Sequence, residues 1–146
     1  MINTDITFGI QVCIPNVFVQ WNTDIARLKA IFSDCTLNCV TPEYYCVPVL
    51  LPVNIDCMLG FHLNSNTLSR MELFRSQAYN ESHDLRYSYN DFQSKFETLW
   101  GKPHQSVCGI IEGLDSHFWH FGNIEITHSV YERFVLCEGV SIKRLS

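Results

Sequence analysis

Two histidines and a tryptophan carry the densest reactive chemistry in this sequence. His117 and His128 lie on either side of Gly122-Asn123. That dipeptide is a two-residue signal for a hairpin closed by a type II′ turn, with glycine at the φ > 0 position. Such a loop sets Phe121 against Ile124, Trp119 against Ile126 and His117 against His128, all on one face, because alternate strand residues point the same way. Directly opposed residues hold their Cβ atoms about 5 Å apart, so both imidazoles are within reach of one zinc ion or one substrate. Zinc needs a third and usually a fourth ligand. Cys137 and Glu138 are near in sequence, but nothing in their spacing turns them towards the pair. His117, Trp119 and His128 therefore mark the site of a small enzyme or a ligand- or metal-binding domain, if the protein is one. The competing reading is a histidine at the edge of an apolar core, satisfied by a backbone carbonyl. His117-x-x-His120 is a ligand spacing only on a helix; on a strand the two side chains diverge.

The other reactive residues form no complete set. His120 faces Glu125 across the hairpin, a pairing that does acid–base work only inside a cleft. There is no Gly-x-Ser-x-Gly elbow and no glycine-rich phosphate loop. Seven cysteines stand at positions 13, 35, 39, 46, 57, 108 and 137. Their number is odd and none forms Cys-x-x-Cys, which reads as reduced thiols in a cytoplasmic protein rather than a disulfide or zinc framework. No cofactor and no metal is expected.

Charge and composition point to another protein as partner. Fifteen acids against ten bases give a net charge of −5, which argues against nucleic acid, whose binders present a basic face. No Lys or Arg occurs between Lys29 and Arg70, so a long stretch of chain is neutral or acidic and would steer a basic partner. Glu43, Tyr44, Tyr45 and Asp56 from that stretch, with Glu81 and Asp84 further on, are the candidate anchors and steering groups. The longest apolar run, Val47 to Val53, is too short to span a membrane and contains Pro48 and Pro52. The start, Met1-Ile2-Asn3-Thr4-Asp5, has no basic region before an apolar one, so no secretion signal is expected. In general character the chain resembles bacterial immunity proteins, which hold a cognate toxin domain inactive. No motif carries that likeness to individual residues. The expected function is a non-catalytic, acidic immunity- or inhibitor-type protein that binds and neutralises a partner.

The elements that position these residues follow from periodicity. Ile6, Phe8, Ile10, Val12 and Ile14 alternate as a first strand ended by Pro15. Asn22 or Thr23 caps a helix to about Asp34, with Trp21, Ile25, Leu28 and Phe32 on one stripe. Leu37 to Val53 holds three prolines, which allows short edge strands or an apolar cover for the core rather than a central strand throughout. Cys57–Leu63 and Ser69–Arg75 pair through Asn64-Ser65-Asn66-Thr67, with Phe61 opposite Met71, Leu59 opposite Leu73, and His62, Arg70 and Glu72 on the wet side. Gln77 to Arg86 reads as a polar loop. Ser88 to Trp100 reads as a helix, capped by Ser88 with Asp91 and closed by Gly101 and Pro103; Gln93, Lys95 and Glu97 face water. Val107–Ile111 and Cys137–Lys143 complete the strands, with Gly139 a candidate bulge. The expected fold is α+β: one domain, a mostly antiparallel sheet with two helices, about 22–34 and 88–100, packed on it.

Overall fold

The computed structural model describes residues 5–33 and 37–145. The fold is α+β, with eight antiparallel strands in one sheet. In chain order the elements are β1 (Gly9–Val12), β2 (Val17–Gln20), α1 (Ile25–Ile31), β3 (Asn38–Thr41), β4 (Tyr44–Leu51), β5 (Ile55–Asn64), β6 (Thr67–Phe74), α2 (Gln77–Ser82), α3 (Leu85–Trp100), β7 (Gln105–Val107), β8 (Ser116–Phe121), β9 (Ile124–Arg133) and β10 (Val135–Arg144). The main sheet has the order β3-β4-β5-β6-β10-β9-β8-β7, and β1 and β2 form a separate hairpin. That hairpin is tied to β4 where Cys13 N and Ile14 N donate to Leu50 O and Leu50 N donates to Ile14 O.

One sheet face is apolar and covered. Leu59, Phe61, Met71, Leu73, Ile126, Val140 and Ile142 are buried on it. Phe32 at the end of α1 packs on Phe61 with ring centroids 5.7 Å apart, while Phe92 and Phe96 of α3 are fully buried. Both helices therefore cover the same side, as strict alternation along the strands requires. No helix among the described residues is long and apolar enough to cross a membrane.

Both hairpins have the expected register. His117 faces His128, Trp119 faces Ile126 and Phe121 faces Ile124, around Gly122 at φ 59°. Phe61 faces Met71 and Leu59 faces Leu73.

Several boundaries differ from expectation. Asp24, not Asn22 or Thr23, caps α1 by accepting from Arg27 N at 2.8 Å; Thr23 is buried, and Asp34 lies outside the described residues. The stretch expected as a polar loop contains α2, because Ser76 accepts from Tyr79 N at 3.2 Å and the Arg75 guanidinium lies 4.1 Å over the Tyr79 ring. Helix α3 starts three residues before Ser88, since Asp84 is its cap, accepting from Tyr87 N at 2.7 Å. Strand β4 is eight residues long and mostly buried rather than a short edge strand. Its Pro48 is exposed and lies beyond Asn38–Cys46, the last pair with β3, so the missing donor falls where no strand needs it. The expected strand 107–111 is instead Gln105–Val107. Gly139 is not a bulge: it pairs in register with both Ser129 and Phe74.

Candidate functional site

The covered face holds a buried polar chain that starts at His128. His128 and Trp119 are fully buried. His128 Nε2 meets Glu138 Oε2 at 2.5 Å and its Nδ1 meets Gln93 Oε1 at 2.7 Å. Gln93 Nε2 donates to Glu97 Oε2 at 2.9 Å, which leaves Oε1 as the amide atom turned to the ring. Ser88 Oγ donates to the other oxygen of Glu138 and accepts from Arg75 Nε at 2.9 Å. Arg75 Nη2 reaches Asp91 at 2.7 Å, and Lys95 Nζ approaches the same carboxylate at 3.3 Å. The Tyr89 ring is stacked on His128 with centroids 4.6 Å apart, and the Arg75 guanidinium lies 3.4 Å over the Phe92 ring. Helix α3 is thus bolted to β9, β10 and Arg75 just after β6 by polar groups that complete one another, the condition under which buried polar atoms are tolerated.

This chain has the residue types of a catalytic triad in the wrong order. The carboxylate stands between Ser88 and His128, so the imidazole does not touch the hydroxyl it would have to deprotonate. Gln93, expected to face water, is buried because it lies one turn beyond Tyr89 on the covered side of α3, beside Phe92 and Phe96. Among the described residues no three His, Cys, Asp or Glu side chains come together as a metal-ligand group. His117 diverges from this set: its Nδ1 lies 2.7 Å from Ser106 Oγ on the edge strand β7. Burial, with the charge of His128 adding to it, holds the His117 imidazole below its ordinary value despite Asp115 and Glu97.

Among the described residues no helix lies over the middle of the opposite face, and a groove of about 800 Å³ crosses it, with Asn80 of α2 at its side. Tyr44, Arg70 and Glu72 line its floor with hydroxyls from Thr127, Ser129 and Ser141. Tyr44 Oη donates to Glu72 Oε1, the same oxygen that lies 3.3 Å from His62 Nε2. Arg70 Nη2 is 3.2 Å from that His62 nitrogen, and the Tyr44 ring stacks on His62 at 4.3 Å. Gly60 makes the arrangement possible, since a Cβ there would stand 2.8 Å from both Glu72 Cγ and Tyr44 Oη. Burial works to raise the Glu72 carboxyl, but bonds from His62 and Tyr44 and the charges of His62 and Arg70 bring it below the usual range. Burial and the Glu72 carboxylate push the Tyr44 phenol far up. The groove thus presents an ionised carboxylate beside a neutral phenol.

The six expected partner-binding residues are scattered. Tyr44 and Asp84 line the groove. Glu43 is exposed at the β3–β4 turn, Asp56 is exposed near the start of β5, and Glu81 is exposed on α2, where it accepts from Gln77 at 3.1 Å. Tyr45 is buried in the core and is not a surface anchor, because alternation along β4 turns it away from Tyr44's face. Arg133, Tyr131 and Leu136, which also line the groove, lacked any sequence signal beyond a run of exposed residues on two strands.

No family model and no curated protein matches the chain. Among solved structures it is similar to a DUF4309 family protein (YjgB) from Bacillus subtilis, with a TM-score of 0.47 and 11% identity, covering 83% of this chain and 78% of that one. That likeness is too distant to bear on fold or activity.

Proposed function

We propose that this chain is a non-catalytic protein-binding module, an acidic protein of the immunity or inhibitor type that acts in the cytoplasm by occupying a partner with a basic surface. The observation that carries this reading is the open sheet face, where the groove is lined by Glu72, Tyr44 and Tyr131. Mixed aromatic and charged floors of this kind supply the anchors and the orientation of protein interfaces. The net charge of −5 favours encounter with a cationic surface. The enzyme reading centred on His117 and His128 loses support, because His128 is fully enclosed and both its ring nitrogens are already occupied.

The test is affinity capture from the native host, followed by measurement of the captured complex. A basic protein held one-to-one is expected. Glu43→Lys and Asp56→Lys should each slow association several-fold at low salt and weaken the salt dependence. Glu72→Gln should weaken binding by about tenfold, the loss of one charged contact. Unchanged affinity and salt dependence in all three variants would sink the reading, as would a small molecule that survives purification in the groove.

A further inference from the structure

The β9–β10 hairpin runs beyond its neighbours. Strand β8 pairs with β9 only as far as His128, and β6 pairs with β10 only from Gly139 onwards. Val135 to Glu138 are therefore laddered to β9 but have no strand on their other side, because the chain leaves the sheet after Phe74 to begin α2. The opening where β6 would have continued is one end of the groove. Asn80, His83 and Asp84 form one wall, and Val135, Leu136 and Cys137 form the other.

The ladder fixes which backbone groups face that opening. A two-residue turn makes Phe121 and Ile124 a hydrogen-bonded pair, and the alternation carries through the continuous registers of β9 and β10. Odd-numbered β10 residues then turn their amides to β9, in line with Leu145 N donating to Asn123 O at 2.7 Å. Leu136 accordingly aims its N–H and C=O into the opening.

At the tip of this edge the side chains of Phe134, Val135 and Leu136 are apolar and exposed. Phe134 is 100% exposed and Val135 66% exposed. Phe134 also sits at φ 67°, a left-handed conformation costly for a bulky side chain. Strain and full exposure together mean that this phenylalanine stabilises nothing in the isolated chain.

We infer that the Val135–Glu138 edge admits an extended segment of the partner protein as an added strand, with Phe134 as the side-chain anchor beside it. The inference rests on the binding reading above and gives it a docking mode. Backbone pairing supplies affinity and alternate side chains supply selectivity in this mode of recognition. Arg133 and Asp84 line the opening, and neither makes an ion pair among the described residues. The incoming segment is therefore one with alternating apolar residues, an acid placed towards Arg133 and a base towards Asp84. A second copy of this chain fits poorly. Each copy carries −5, and the apolar hairpin tip is far smaller than the roughly 20–30 residues a side of a stable interface.

The probe is a random linear peptide library selected on the whole chain, with binding followed by amide NMR and hydrogen exchange. In the free chain the Leu136 amide should exchange much faster than that of Cys137. Selected peptides should show alternating apolar residues and should protect Leu136. Leu136→Pro removes the donor and should weaken them about tenfold or more, whereas Leu136→Ala keeps it and should bind nearly as well. If Leu136→Pro fails to fold, Phe134→Gly relieves the strained φ and removes the anchor, with the same expected loss. Peptides that bind without protecting Leu136, binding indifferent to Leu136→Pro and Phe134→Gly, or a homodimer or lipid-vesicle complex formed through Phe134 would each overturn the inference. A captured partner that protects only other surfaces would leave the binding reading standing and remove the added strand.

Discussion

The two faces of the sheet hold polar clusters built from the same residue types and put them to opposite use. On the covered face His128, Glu138, Ser88 and Arg75 satisfy one another with almost no contact with water. On the open face Tyr44, Glu72 and Arg70 line the floor of a groove and make a similar chain with the neighbouring His62. Residue identity is thus a poor guide to role. What separates the clusters is the helix that lies over one and not the other. Enclosure makes each lost partner expensive and withholds the groups from any reactant, while exposure makes the contacts cheap and the groups available.

Mutations that separate the two should differ most where enclosure is greatest. Glu138→Ala leaves both His128 Nε2 and the Ser88 hydroxyl without their shared partner, and should cost about 3–5 kcal/mol in denaturant unfolding. Ser88→Ala strands the Arg75 Nε and one Glu138 oxygen and should cost about 1–3 kcal/mol. Tyr44→Phe removes a comparable bond from the open face, where water replaces it, and should cost about 1 kcal/mol or less. A loss at Tyr44 as large as that at Glu138 would break the contrast between the faces.

Acidification should resolve the faces in two steps. The folded His117 pKa is depressed by burial and by His128, so below about pH 6.5 the unfolded chain takes up a proton that the folded chain refuses. Stability therefore falls as pH drops from about 6.5 towards the folded value. The folded Glu72 pKa is also depressed, so its contribution is intact above about pH 4.3 and lost as pH falls through the folded value. In urea titrations across pH, His117→Gln should flatten the upper step and Glu72→Gln the lower. The smallest effect concerns thiols. Burial pushes the Cys57 thiol up to about 12, whereas Cys39 and Cys108 are exposed. A thiol reagent should label the latter two within the time that Cys57 stays unreacted in the native state.

Much of the framework was legible because local rules determine it. Gly122-Asn123 dictates the turn, and with it the meeting of His117 and His128. The apolar sets of β5 and β6 permit only one register that buries both. The buried chain was hidden because its members are distant in sequence and each looks ordinary alone. Ser88 mimics a helix cap, Gln93 a solvent residue and Glu138 a strand-end acid. Tyr89, Phe92 and Phe96 define the covered side of α3, and Ser88 and Gln93 lie beside them on it, a flank that two polar residues do not advertise in a sequence. Helix α2 escapes the sequence for a different reason: Arg75, just past the end of β6, lies over the Tyr79 ring, and no pattern within Gln77–Ser82 foretells it.

The sheet ends are blunt. Strand β3 is four residues long with an irregularity between Cys39 and Thr41, and β7 is three residues long. Where β3 stops, the next strand shows Pro48, which offers no donor. Stacking of chains margin to margin into fibrils therefore finds no long template at β3 or at β7.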